Sequence, residues 1–183
     1  MKKITFILMF LTPMVFIFGQ VDQPKTPAHE FVGTHTCGMC HKTEKQGKQL
    51  VIWQNSKHAK AYELLKTDEA NKIAKEKGFD KPAVEVEDCL KCHASGYNVD
   101  AKLLGAKFKV SDGVQCETCH GPGGDYKSIK VMKNKDEAIK KGLVLYTNPK
   151  ELCVKCHNAQ SPTNKPFDFD KAWAQIKHTV PEK

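Results

Sequence analysis

The cysteines of this chain carry its clearest chemical signal. All eight fall into four Cys-X-X-Cys pairs, and a histidine follows each pair directly. Residues three and four positions apart lie on one face of a helical turn, so the two thiols and the imidazole of one motif can reach the edge of a single flat ligand. The four motifs are Cys37/Cys40/His41, Cys89/Cys92/His93, Cys116/Cys119/His120 and Cys153/Cys156/His157.

This pattern is typical of covalent attachment of c-type haem, in which two thiols form thioethers and the histidine binds the iron. Zinc sites, dithiol redox sites and structural disulfides also use paired cysteines, but they do not need a histidine at the next position every time. The sequence therefore predicts four covalently bound haem c groups. It identifies no separate catalytic residue.

The N-terminus predicts export. Lys2 and Lys3 precede the apolar run 4–18, and the small residue Gly19 follows it, as in a secretory signal peptide. An uncleaved anchor with weak membrane association is the alternative, but the run is short for a bilayer span and contains Pro13. We expect cleavage after residue 19, a single domain over residues 20–183, and a periplasmic location, where c-type haem is attached.

The charge of the chain is basic. The 29 basic residues are all lysine, and with 21 acidic residues they give a formal charge of +8. Loss of two lysines with the signal segment leaves 27 against 21, or +6. The export signal and the scattered lysines argue against nucleic acid as a partner. The predicted partners are periplasmic or membrane-bound redox proteins that donate and accept electrons.

The predicted fold is mainly α, with little regular sheet, and is organised around the haems because the apolar content is low for this length. One or two helices are expected over 43–77, with Gly78 as a stop, and a short helix over 134–142. A last helix is expected over 170–178, capped by Asp168 or Asp170. An extended connector is expected over 81–88, and a short hairpin over 96–114.

Four histidines lie outside the motifs and are candidates for the second axial position of an iron: His29, His35, His58 and His178. His58 is the strongest, because the helix predicted around it would fix its position. His178 is expected to close the last helix. His29 lies in the N-terminal lead-in, and His35 is only two residues from Cys37, too close for an easy return to its own iron.

Several of these residues resemble the tetrahaem cytochrome c-554 family. The resemblance extends from about residue 33 to 178 and is most specific at the first and third motifs. The segments that carry it are the first motif with Trp53 and Ser56-Lys57-His58-Ala59, the run 113–123 with sequence GVQCETCHGPG, the run 92–97, and Phe167-Asp168-Phe169-Asp170.

The resemblance implies a mainly helical fold with closely stacked haems and a role in periplasmic electron transfer. It also implies that His58 binds the third iron, that His178 binds the fourth, and that the second haem is five-coordinate. The family has a further histidine about ten residues after the third motif, which binds the first iron. This chain has none there, and Met132 lies near that position, so Met132, His29 and His35 are the alternative ligands of the first iron.

The leading functional prediction is an electron carrier that passes electrons between redox partners by hopping from haem to haem, and so more a carrier than an enzyme. One alternative is a reductase of a small nitrogen oxide at an open iron. Another is an electron-conducting subunit of a larger multihaem complex.

Overall fold

The structure is a computed structural model, and it describes residues 29–181. This part of the chain consists of short helices joined by turns, and the longest helix has nine residues. The α-helices are α1 (Thr34–Gly38), α2 (Gln49–Gln54), α3 (Ala61–Leu64), α4 (Asp68–Glu76), α5 (Glu87–His93), α6 (Cys116–His120), α7 (Ile129–Met132), α8 (Lys135–Lys140), α9 (Pro149–Cys153) and α10 (Phe169–Ile176). Single 3-10 turns lie at Glu44–Gln46, His58–Lys60, Ala83–Glu85, Ala101–Leu103 and Val110–Asp112.

The described part of the chain is mainly α, as predicted. The expected signal peptide lies outside it, so its cleavage stays a prediction. No helix within residues 29–181 is long and apolar enough to cross a bilayer.

The hairpin predicted over 96–114 is wrong. This segment forms turns and two 3-10 turns, and its backbone pairs with the N-terminal segment instead of with itself. Phe31 donates its N–H to the carbonyl of Leu103 (2.8 Å) and accepts from the N–H of Gly105 (2.8 Å). Phe108, one of the apolar residues that suggested a strand, packs edge-on against the Phe31 ring, with centroids 5.6 Å apart. Apolar alternation here reflects packing against a distant segment.

Most helix predictions hold, but several boundaries differ. The region 43–77 is helical in five short pieces, because Thr67 starts a new helix by accepting the N–H of Ala70. The expected connector 81–88 contains a 3-10 turn and the start of α5. The predicted stops are confirmed, since Gly78 and Gly142 both have a left-handed φ, at 85° and 99°. Asp168 caps the last helix by accepting the N–H of Lys171.

The apolar core is small. Its central cluster is Leu65, Ala74, Ala83 and Val86, where α4 and α5 pack around the 3-10 turn at 83–85. Of the nine buried apolar residues in the described chain, four are alanines. Side chains of this size bury little surface, so the polypeptide alone has a weak hydrophobic driving force.

Candidate haem-binding sites

Each of the four motifs forms one helical turn, as its spacing predicts. The second and third motifs lie within α5 and α6. In the first motif the N–H of His41 bonds to the carbonyl of Cys37 (3.1 Å), and in the fourth the N–H of His157 bonds to the carbonyl of Cys153 (2.9 Å). None of the eight cysteines, all of which lie in the described part of the chain, forms a disulfide. The first cysteine and the histidine of each motif are therefore one turn apart on the same face of a helical turn.

Two motif histidines are held through the ring nitrogen that an iron would not use. The Nδ1 of His93 bonds to the carbonyl oxygen of Ala61 (2.9 Å), and the Nδ1 of His120 bonds to the carbonyl oxygen of Val144 (3.0 Å). Because a carbonyl only accepts, these Nδ1 atoms carry the proton and leave Nε2 with its lone pair. This is the tautomer and orientation that a metal-binding histidine needs.

Two further histidines face motif histidines. The ring of His58 lies opposite that of His157, with centroids 6.1 Å apart, and the ring of His178 lies opposite that of His120, with centroids 5.9 Å apart. His178 is held at Nδ1 by the carbonyl oxygen of Ile176 (3.0 Å), so its Nε2 is also free to bind a metal. Among residues 29–181, His41 and His93 have no imidazole facing them at such a distance.

The spacing of the facing pairs fits one iron between the two rings. Imidazoles bound on opposite sides of a metal, with metal–nitrogen bonds of about 2.0 Å and about 1.1 Å from nitrogen to ring centre, have centroids roughly 6.2 Å apart. The two observed distances, 6.1 and 5.9 Å, are close to this value. The donor set of two thiols and two imidazoles is that of a bis-histidine haem c, so the residues present fit the group.

The surface also fits a bulky apolar ligand. Large apolar side chains are exposed within or beside the motifs, including Met39 (59% exposed) in the first motif and Val154 (41%) in the fourth. Residues 144–146 are exposed as well, and the first of them, Val144, supplies the carbonyl that holds His120. Porphyrin faces would cover such side chains and add the apolar area that the small core lacks.

The facing pairs differ from the ligand assignment that the resemblance implied. That assignment gives His58 to the third iron and His178 to the fourth, whereas the structure places His58 opposite His157 of the fourth motif and His178 opposite His120 of the third. Tertiary packing sets these positions, since α10, which precedes His178, packs against α2, which precedes His58.

The two ligand histidines also differ in local structure from the prediction. His58 begins a 3-10 turn that follows α2, and its carbonyl accepts the N–H of Val114 (3.0 Å), which ties it to the segment before the third motif. His178 lies two residues beyond α10 in an extended segment, not at the end of the helix. Both positions are set by contacts with distant segments.

A glycine makes room for the segment that carries His178. The carbonyl oxygen of Thr179 lies against Gly47, so closely that a Cβ on Gly47 would clash with it. Gly47 also has a left-handed φ of 92°. Gly78 has nearly the same φ, 85°, but a Cβ there would meet nothing within 4 Å. The tail therefore depends on the absence of a side chain at residue 47 specifically.

The thiols show which motifs are neighbours. Cys37 of the first motif shares a hydrogen bond with Cys116 of the third, which raises the pKa of the Cys37 thiol and lowers that of Cys116. Burial, followed by the charge of Cys153 in the fourth motif, raises the pKa of Cys119 to about 11. Burial and the neighbouring Cys92 of the second motif raise the pKa of Cys156 to about 12.

These proximities connect the motifs in the order first, third, fourth, second, which differs from the order along the chain. The packing of α1 against α6 brings the first motif to the third. The segment after the second motif also bonds to the third, through Ser95 and Thr118.

Burial favours the neutral form of three of these histidines, His58, His120 and His157. The pKa of His58 is lowered by burial and then by the nearby His157, whose own pKa burial also lowers. Burial lowers the pKa of His120 too, although its hydrogen bond to the Val144 carbonyl opposes the shift. Neutral imidazole is the form that binds a metal, so these rings are ready for ligation at pH 7.

A buried carboxylate braces the third motif. Glu117, between the two cysteines of that motif, is only 3% exposed and accepts hydrogen bonds from the backbone N–H groups of Val32 (2.8 Å), Gly33 (2.8 Å) and Gly123 (2.7 Å). The Glu117 carboxylate thus joins the segment that precedes the first motif to the loop that follows the third. Sequence reasoning missed this role, because a glutamate within Cys-X-X-Cys looks like an ordinary exposed residue.

Gln115 acts beside it. Its carbonyl oxygen accepts from the N–H and the hydroxyl of Thr34 (both 3.2 Å), and its amide donates to the carbonyl of Lys109 (2.8 Å). Trp53 donates its indole N–H to the carbonyl of Val114 (2.8 Å). Residues that carried the family resemblance thus form one connected set around the first and third motifs.

The remaining ligand candidates lie elsewhere. His29 is bonded to Asp125, a residue that sequence reasoning did not single out. His35 is exposed, and Met132 ends α7 with a half-buried side chain; neither belongs to a facing pair. The structure therefore separates His58 and His178, which have partners, from the other three candidates.

Comparisons with known proteins show the family of the chain. Residues 36–121 match the family model for cytochrome c554 and c-prime. Cytochrome c-554 of Nitrosomonas europaea is 35% identical over 143 residues, a match that covers 69% of this chain and 57% of that protein. No solved structure matches significantly. The chain therefore belongs to the cytochrome c-554 family, whose cofactor is covalently bound haem c.

Proposed function

We propose that this protein is an exported tetrahaem electron carrier that passes electrons between redox proteins of the periplasm or the membrane. A single observation carries the proposal: the four attachment sites lie close together, with Cys37 beside Cys116, Cys92 beside Cys156, and Cys153 near enough to Cys119 for its charge to act on that thiol. When bound, each haem would supply one reversible Fe(III)/Fe(II) couple. Attachment sites this close would hold the four haems near one another.

The protein's own residues set the properties of this line of motifs. His178 faces His120 and His58 faces His157, so these residues would complete bis-histidine coordination of the haems at the third and fourth motifs. Both motifs lie in the middle of the line. Phe167 stacks on the ring of His157, with centroids 4.5 Å apart and planes 8° apart, and so fixes the plane of that ligand. Fixed ligands reduce the rearrangement that accompanies each electron transfer, which suits a relay better than a site of bond-making chemistry.

Removal of one end of the line and removal of its middle should therefore have different effects. The variant Cys116→Ala/Cys119→Ala loses the third attachment site, and we expect slow electron exchange between the first haem and the other two. The matched variant Cys89→Ala/Cys92→Ala loses the terminal second site, and we expect fast exchange among the remaining three. Flash reduction followed by transient absorption measures both rates, and mass spectrometry counts the haems in each protein.

The outcomes separate the functions. A wild-type protein with four haems that takes up four electrons and delivers them rapidly to a small monohaem cytochrome supports the carrier. Fewer than four haems, or equal effects of the two double variants, contradicts the proposed line. A mass in solution larger than that of one chain, from a stable complex with other proteins, would favour the subunit alternative.

A second function has one observation in its favour: His93 has an anchored Nδ1 but no facing imidazole within the described chain. An iron held there would have a free coordination position, as a reductase of a small nitrogen oxide requires. Turnover of nitrite or hydroxylamine by the purified protein, lost in His93→Ala and retained in His58→Ala, would replace the carrier by this function.

A further inference from the structure

His29 has the arrangement of a metal-binding histidine although it lies outside every motif. Its Nδ1 lies 2.6 Å from a carboxylate oxygen of Asp125, and its side chain is only 26% exposed. The carboxylate occupies Nδ1 as a hydrogen-bond acceptor, so Nε2 is the ring nitrogen left for a metal. A carboxylate behind a histidine is the usual means of orienting a ligand imidazole and raising its basicity. His93, His120 and His178 are anchored through Nδ1 in the same way.

The position of His29 is set by the region after the third motif. The next residue, Glu30, accepts the N–H of Gly124 at its carbonyl (2.9 Å), which holds this stretch beside the loop that contains Asp125. On the other side the Cδ2–Nε2 edge of the His29 ring faces Gly142, where an added Cβ would come within 3.6 to 3.7 Å of those two atoms. The ring is thus inserted between two segments, with Asp125 on its far edge.

The geometry also indicates which iron His29 would serve. The third and fourth motifs already have facing imidazoles, so the first and second remain. The second motif lies at the opposite end of the line, where His93 bonds to Ala61. The first motif lies against the third, through Cys37 and Cys116, and is reached by the same N-terminal segment that carries His29.

We propose that His29 is the second axial ligand of the haem held by Cys37, Cys40 and His41, and that Asp125 positions it. This inference rests on the proposed four-haem function. It makes the first haem bis-histidine and leaves Met132 as a packing residue of α7. Bis-histidine coordination gives a lower potential than Met/His coordination, so the first haem becomes a stronger reductant than a methionine ligand would make it.

The test is a comparison of His29→Ala with His35→Ala in the exported holoprotein. His35 is an exposed histidine six residues away and serves as the matched control. We expect His29→Ala to convert one of the four irons from low spin to high spin, as counted by electron paramagnetic resonance. Added imidazole should restore the low-spin signal. His35→Ala should leave the spin-state count of the wild-type protein unchanged.

Asp125→Asn gives a second readout if His29→Ala fails to mature. The amide oxygen accepts the Nδ1–H bond more weakly than a charged carboxylate does, so the imidazole becomes a poorer electron donor to the iron. We therefore expect one reduction potential of the four to rise while all irons stay low spin. An unchanged spin-state count in His29→Ala, or four unchanged potentials in Asp125→Asn, overturns the proposal. A thioether charge-transfer band in the near-infrared spectrum of the wild type overturns it as well, because Met132 would then be the ligand.

These outcomes are independent of the broader function. A mass that shows fewer than four haems in the wild type contradicts the tetrahaem proposal itself. Four haems with a spin-state count insensitive to His29 contradicts only the ligand assignment.

Discussion

Glu117 should be a main determinant of stability, although it binds no haem. Its carboxylate is buried and accepts three backbone N–H groups, from Val32, Gly33 and Gly123. In Glu117→Gln one oxygen remains, and it still faces the N–H groups of Val32 and Gly123. The new amide group, however, points its own N–H at Gly33, so one buried donor loses its acceptor.

The cost can be worked out from these contacts. Two charge-assisted bonds become neutral ones, at about 1 kcal/mol each, and one unsatisfied buried donor adds about 1–3 kcal/mol. The easier burial of a neutral amide offsets part of this sum. We expect Glu117→Gln to lower the free energy of unfolding by about 2–4 kcal/mol, and Glu117→Ala, which leaves three donors unpaired, by about 3–6 kcal/mol.

Guanidinium unfolding of the holoprotein at pH 7, followed by far-UV circular dichroism, measures the change. Glu76→Gln, on the exposed surface of α4, is the control and should stay within about 0.5 kcal/mol of the wild type. A loss below about 1 kcal/mol in Glu117→Ala would refute the reasoning, because three buried amides cannot be left unpaired so cheaply.

Three further results are expected. Gly47→Ala should displace the C-terminal segment and turn one low-spin haem high spin, and His178→Ala should have the same effect. Gly78→Ala, with a similar left-handed backbone but open space, should keep the wild-type spectrum, and identical spectra for the two glycine variants would contradict the steric argument. The free energy of unfolding of the holoprotein should fall as pH drops below about 6.5, because the Nε2 of His58 would bind iron in the folded protein and take up a proton only once the chain unfolds, and burial lowers the pKa of His58 in the same direction; a stability that is flat from pH 7.5 to 5.5 would exclude this linkage. The chain made without haem attachment should be largely unfolded by circular dichroism, because its core is small; a cooperative thermal transition in that material would show that the polypeptide folds unaided.

Much of the fold followed from local rules. Gly78 and Gly142 end helices because only glycine takes a left-handed φ cheaply, and Asp168 starts α10 because its side chain caps a free N–H. The hairpin prediction failed because alternation in 96–114 cannot tell a strand from residues that pack against Phe31. Local patterns do not record such distant partners.

The haem motifs themselves needed no tertiary structure. Cys-X-X-Cys-His places its cysteines and histidine on one helical turn through backbone geometry alone, so the sequence by itself determined that the chain has the chemistry of haem c attachment and predicts the first ligand of each iron. Second ligands come from distant parts of the chain, and their assignment depends on how those parts pack. Only the tertiary structure brought His58 to the fourth motif and His178 to the third, placed Asp125 behind His29, and set the order of the motifs in space, because each of these relations is a contact between residues far apart in sequence.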